Sequence, residues 1–146
     1  MATSNPSRIE RAARALLDAH RRKAKFAPLP DELTPRSAEE AYAIQDAFVA
    51  LKSAASGSVA GWKIALTTPQ MRAMVGVNDS IGGTLHSGQM QNTPGRVRAA
   101  DYAHLIVEFE VAVKLAEDLR AADAPYTRER VAQAVGAVMP ALEIAD

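Results

Sequence analysis

The chain has 146 residues, of which 48% are hydrophobic, with 17 basic and 17 acidic residues and no net charge. That is enough for one ordinary domain with a real core, and it argues against wholesale disorder, a nucleic-acid partner or an anionic membrane surface. Cysteine is absent, which excludes disulfides, thiolate metal sites and a cysteine nucleophile.

Ser7-Arg8-Ile9-Glu10 reads as a capping box. Behind it Ile9, Ala12, Ala13, Leu16 and Leu17 recur at helical spacing, so a first helix is predicted to about Lys25. The basic run from Arg21 to Lys25 reads as its solvated end. Pro28, Pro30 and Pro35 mark an extended linker. Residues 1–36 are thus assigned to an N-terminal helix and a Pro-rich linker, ahead of a main region at 37–146. Ser37-Ala38-Glu39-Glu40 reads as a second capping box, and its helix carries Ala41, Ile44, Phe48 and Leu51 on one side before fading into a turn at 53–58.

Val59 to Leu66 reads as a strand, with Trp62 as a core residue. Thr68-Pro69 starts a short helix that ends near Gly76. Gly82-Gly83 is expected to break the chain before a short strand at 84–86. A polar loop with Pro94 and Gly95 leads to a long strand from His104 to Leu115. Thr127 is expected to cap a helix through about Val138, and Pro140 to introduce a last strand, Ala141 to Ala145. Helices followed by strands and short helices indicate an α+β fold rather than a regular βαβ alternation. The last strand has no visible partner beyond it, so the fold is expected to be incomplete at the C-terminus. With no signal-peptide core and no bilayer-length apolar run in the sequence, the expectation is a soluble, cytoplasmic protein.

The chemistry concentrates in a few acidic and basic positions. Glu108 and Glu110 are two apart in an apolar strand and so share one face, which also carries Ile106 and Ala112. Glu143 interrupts another apolar stretch. Three carboxylates suit a hard divalent cation such as Mg²⁺ or Mn²⁺. From pattern alone, a solvent-facing Glu-x-Glu is the commoner arrangement. Lys63 lies between Trp62 and Ile64, where it either exchanges a proton, holds a substrate carboxylate, or snorkels from a sheet edge. His20, His86 and His104 show no metal-ligand spacing and read as structural or surface residues.

In order, the chain carries Ala41-Tyr42-Ala43-Ile44-Gln45, Gly61-Trp62-Lys63-Ile64-Ala65-Leu66-Thr67-Thr68, Gly76-Val77, Val107-Glu108-Phe109-Glu110 and Met139-Pro140-Ala141-Leu142-Glu143-Ile144. This set resembles the 2-keto-4-pentenoate hydratase and 4-oxalocrotonate decarboxylase family of the fumarylacetoacetate hydrolase superfamily, from about Ile9 to Asp146. The resemblance implies part of a mixed β-roll or barrel behind the N-terminal helices. It implies Glu108, Glu110 and Glu143 as ligands of Mg²⁺ or Mn²⁺, Lys63 as the catalytic lysine, and Thr67 and Asp79 as substrate-binding residues. The implied reaction adds water to a 2-hydroxy-2,4-dienoate to give a 4-hydroxy-2-oxo acid, in aromatic-compound catabolism. Alternatives are decarboxylation of a 2-oxo diacid, or an inert or partner-binding piece. A homo-oligomer or a hydratase–decarboxylase complex is the implied assembly. Two positions depart from the pattern: Ala65 replaces a glycine, and Ile81 stands where hydratases carry an aspartate, with Asp79 nearby.

Overall fold

In the computed structural model, residues 6–145 are described; the N-terminal segment read above as lacking a signal core, and the terminal Asp146, lie outside them. The chain divides between Val97 and Arg98 into two compact units. It is a mixture of helices and small antiparallel sheets, the α+β class expected from the order of elements.

In the first unit, helix α1 spans Arg8–Arg21 and α2 spans Ala38–Ser56. The capping box of α1 is complete: Ser7 Oγ accepts from the Glu10 N–H at 3.2 Å, and Glu10 Oε2 accepts from the Ser7 N–H at 2.7 Å. Two orphan donors of the first turn are thereby satisfied. Ala12 and Ala13 are fully buried and Ile44 is 3% exposed, because α1 and α2 pack against each other. Arg8 pairs with Glu40 and donates to the Thr34 carbonyl at 2.9 Å, tying the linker to both helices.

Two expectations for these helices need correction. Helix α1 stops at Arg21, not Lys25, because Lys23 adopts φ +51. The Lys23 N–H then donates to His20 and the Ala24 N–H to Ala19, a Schellman closure made without the usual glycine. The second capping box is only half formed. Ser37 accepts from the Glu40 N–H, but the Glu40 carboxylate takes the Arg36 N–H at 2.7 Å instead of that of Ser37.

Strand β1, Val59–Ala65, pairs antiparallel with β2, Ile81–His86, in a register that sets Lys63 opposite Gly83. Between them lies α3, Pro69–Val75, capped by Thr68 and closed at Gly76 with φ +72. Gly82 and Gly83 do not break the chain before β2 but belong to it. The Gly82 N–H donates to Tyr42 Oη at 3.1 Å and its carbonyl accepts from Gln45 Nε2 at 3.0 Å, so α2 stitches down the glycine peptide. At Gly83 a Cβ would lie 3.2 Å from Lys63 Cγ, which shows why the lysine stem needs glycine opposite it. Trp62, expected in the core, is 77% exposed on the far face of β1. Helix α2 lies against the opposite face, where it contacts β2.

In the second unit, β3, Ile106–Leu115, pairs antiparallel with β4, Val135–Ala145. Helix α4, Arg128–Ala134, starts at the predicted cap Thr127 but ends four residues before Val138. The chain turns extended at Val135 to pair with Leu115, and Gly136 passes so close to Ala116 that a Cβ there would lie 3.1 Å from the alanine's own. Pro140 sits inside β4 rather than before it, opposite Val111. A two-stranded ribbon has free edges, so a residue with no N–H is tolerated.

Candidate functional site

The ribbon register explains how three glutamates separated in sequence come together. Glu108 on β3 lies directly opposite Glu143 on β4, and Glu110 is opposite Ala141, one pleat along the same face. One carboxylate oxygen from each of Glu108, Glu110 and Glu143 lies within 4.8 Å of the others. Glu108 and Glu110 are exposed and Glu143 is half-buried. Like charges directly opposite on a ribbon repel each other. An all-oxygen, acceptor-only donor set of this kind fits a hard divalent cation and is ill suited to a soft one. The residues present therefore fit a Mg²⁺- or Mn²⁺-type ion.

Lys63 belongs to the first unit. Its stem crosses Gly83, and its side chain lines a cavity of about 450 Å³ beneath α2. Leu16, Ile44 and Phe48 contribute apolar wall, and Lys52, Gln45 and His86 contribute polar atoms. Burial, and next the charge of Lys63, hold the Lys52 ammonium below its ordinary pKa of 10.5. Lys52 Nζ also stands 5.7 Å from the Phe48 ring centroid, within cation–π range.

Thr67 and Asp79 are both exposed, at the end of the β1–β2 ribbon that α3 connects, and neither lines the Lys63 cavity. Just before Thr67, Leu66 has φ +58, an uncommon conformation for a bulky side chain. Its carbonyl is held by Arg72 Nη1 at 3.1 Å and Ser80 Oγ at 3.2 Å. The β1–α3 corner that carries Thr67 is thus fixed by two side-chain donors.

Sequence reasoning missed two residues of the cavity. Lys52 follows Gln45, Phe48 and Val49 at helical spacing, so its place on the inward face of α2 was present in the periodicity. His86 is 1% exposed, its Nε2 lies 3.4 Å from Ser53 Oγ, and its Nδ1 is buried with no hydrogen-bond partner. Ser53 Oγ donates its one proton to the Val49 carbonyl at 2.8 Å. Toward His86 that oxygen can only accept, so Nε2 carries the hydrogen. The expectation of a structural role for His86 agrees with its burial, although an isolated histidine gave no sequence signal for this network. His20 stacks at 5.2 Å from Phe48, and His104 is exposed.

No family model matches the chain. Curated relatives do. The chain is 31% identical over 139 residues to 2-keto-4-pentenoate hydratase of Paraburkholderia xenovorans strain LB400, covering 95% of this chain and 51% of that protein. The same figures hold for 2-keto-4-pentenoate hydratase 3 of Pseudomonas putida. Identity to 2-hydroxyhexa-2,4-dienoate hydratase of Comamonas testosteroni is 32% over 141 residues, covering 94% of this chain and 52% of that one. The resemblance drawn from the ordered motifs is therefore shown across nearly the whole chain, which spans about half the length of the curated relatives it matches.

Proposed function

We propose that the chain carries the acidic metal centre and the lysine-bearing portion of a hydro-lyase that adds water to a 2-hydroxy-2,4-dienoate, giving a 4-hydroxy-2-oxo acid in the breakdown of aromatic compounds. The observation that carries this reading is the convergence of Glu108, Glu110 and Glu143 in a chain similar to proteins named as hydratases of this substrate type. Glu108, Glu110 and Glu143 would hold Mg²⁺ or Mn²⁺, which when bound supplies Lewis acidity toward an oxygen-rich acid. Lys63, in a partly apolar cavity, suits proton exchange or orientation of a carboxylate. Thr67, on its pinned corner, and Asp79 are proposed substrate contacts. In the overall reaction the enol proton moves to carbon, hydroxide adds at C4 and a proton at C3. A barrel-like completion of the sheets and a cytoplasmic location go with this reading.

A second reading rests on the apolar surface. Phe109 is 92% exposed, and Val111, Val138 and Leu142 are also open. Patches of this kind mark interaction surfaces. They favour a ribbon that works against further polypeptide, either more of a longer chain, as in the relatives, or another subunit in a homo-oligomer or a hydratase–decarboxylase complex. Among the described residues no helix is long and apolar enough to cross a membrane.

Dienol consumption, followed by ultraviolet absorbance with Mg²⁺ or Mn²⁺, tests the main reading. Turnover that falls by about 100-fold or more in Glu108→Ala and Glu143→Ala is the expected outcome, the scale seen when one preorganised charge contact is removed. Unchanged turnover in both variants would falsify the metal assignment. Activity that appears only on adding the remaining half of a relative would favour the second reading.

A further inference from the structure

The two long edges of the β3–β4 ribbon are not alike. β4 contacts α4 and carries Pro140, which has no N–H to offer a further strand. β3 contains no proline, and among the described residues no strand but β4 pairs with it. Every residue of β3 except Ala112 is exposed. A strand edge with all its donors present is a template for another strand.

The side chains of β3 indicate which strand fits. Glu108, Glu110, Ala112 and Lys114 share one face, and Phe109, Val111 and Val113 share the other. Within the ribbon Lys114 lies opposite Ala137 and Glu108 opposite Glu143, so no β3–β4 pair joins opposite charges. Among the described residues neither Lys114 nor Glu108 has an ion pair. Take an antiparallel copy of β3, related by a two-fold axis through Val111. It sets Lys114 of the second copy opposite Glu108 and diagonal to Glu110, once on each side of the axis. Phe109 then meets Val113 on the apolar face, and Val111 meets its own copy. Neighbouring registers that keep the apolar face together fit less well. A two-fold at Phe109 sets Glu108 against Glu110, one at Glu110 sets that carboxylate against itself, and one at Ala112 shortens the pairing.

We propose that the free edge of β3 is a docking surface for a second copy of this chain, the two β3 strands pairing antiparallel about Val111 into a four-stranded sheet. This deepens the second reading above, on which it rests: it commits the ribbon's partner to a second subunit, and places the contact at an edge and in one register. The pairing also carries a residue into the carboxylate cluster. Lys114 of the second copy reaches Glu108, where its charge offsets the repulsion among Glu108, Glu110 and Glu143.

The chain has no cysteine, so single introduced thiols report the register. In the proposed pair the two Val111 positions face each other at a cross-strand separation that suits a disulfide. Val111→Cys, in a glutathione redox buffer with EDTA, should form a covalent dimer at least about tenfold faster than Phe109→Cys or Val113→Cys, whose thiols are offset along the strands. Sedimentation velocity of the whole chain in EDTA should show a mass that doubles as concentration rises. Lys114→Glu should weaken that association about tenfold or more, and adding Glu108→Lys to it should restore most of the loss. A monomer throughout the micromolar range overturns the proposal. So do equal cross-linking rates at the three positions, or unchanged association in Lys114→Glu. EDTA removes bridging by metal and no turnover is read, so failure here leaves the hydratase reading standing. It also leaves standing the form of the second reading in which more of a longer chain covers the ribbon. Unchanged turnover in the glutamate variants, in turn, leaves this pairing standing.

Discussion

The β1–β2 and β3–β4 ribbons are the same motif in two different environments. β1–β2 has a helical layer on one face, where Tyr42 and Gln45 engage both polar atoms of Gly82 and Ser53 meets His86. β3–β4 has α4 at one end, and its apolar face is largely open, with Phe109 at 92% exposure. The chemistry differs in the same way. The covered ribbon and its helix α2 each set one lysine in a cavity, where charge is felt strongly; the open ribbon sets three carboxylates at or near the surface, where water screens them. Burial in this molecule follows the helices rather than the hydrophobicity of the strands. Two-stranded ribbons are marginal by themselves, so what covers each one decides how firmly its site is held.

The sharpest test of that contrast is a pair of truncations. Ile44→Ala, in the helical layer, is expected to destabilise the chain by about 2–5 kcal/mol, measured by urea unfolding followed through Trp62 fluorescence. Phe109→Ala should change stability by less than about 0.5 kcal/mol, as for other exposed positions. A large effect at Phe109 would mean that its face is covered in solution, and the contrast between the ribbons would collapse into one of partners.

A comparable effect should follow from metal. Mn²⁺ at a hundredfold excess over its dissociation constant stabilises a site by about 2.7 kcal/mol. The gain should appear as slower amide hydrogen exchange along β3 and β4, at Val107, Phe109 and Leu142. Glu143→Ala should remove it, because that residue faces Glu108 across the ribbon. Protection gained instead in β1–β2 would place the cation in the wrong unit.

Much of this arrangement was legible in the sequence where a local rule sufficed. The caps at Ser7, Thr68 and Thr127 were readable because each is a short-range exchange of one hydroxyl for one orphan N–H. The shared face of Glu108 and Glu110 followed from the pleat. The approach of Glu143 did not, since only the cross-strand register decides it, and the ordered motifs supplied it by resemblance. Non-local contacts explain the errors as well. Gly82-Gly83 looked like a break until α2 was seen to hold the glycine peptide. Residues 135–138 looked helical until Leu115 was seen to pair with Val135. Trp62 reads as core because its strand is apolar, but it alternates with Lys63 along that strand and is 77% exposed. Lys52 escaped notice because a lysine on a helix usually reaches water.

Smaller effects refine the picture at the covered ribbon's support. Ser7→Ala breaks the reciprocal bonds with Glu10 and should cost about 1 kcal/mol, read as a lower urea midpoint with an unchanged slope. Ser37→Ala should cost less, because the Glu40 carboxylate is engaged by Arg36 and Arg8 rather than by the cap residue.

The finest distinction between the two ribbons is in how stability depends on pH. In the cavity, burial and the neighbouring Lys63 charge lower the pKa of Lys52 from 10.5. Between the lowered value and 10.5 the unfolded chain holds a proton that the folded chain has released. Stability should therefore rise with pH through that window and level off above it. At neutral pH Lys52 is charged in both states and carries its full unfavourable burial, so Lys52→Met, which keeps the stem and drops the charge, should be the more stable protein there. The advantage should shrink as pH climbs toward 10.5, where the wild-type lysine has also lost its charge. Loss of the cation–π contact with Phe48 acts in the opposite direction, so the change in the difference between pH 7 and pH 10 is the informative quantity. Urea unfolding of both proteins at the two pH values measures it. A difference that stayed constant across the window would show that Lys52 sits in water rather than in the cavity. The helical layer would then not confer on the covered ribbon the low-dielectric character that separates it from the open one.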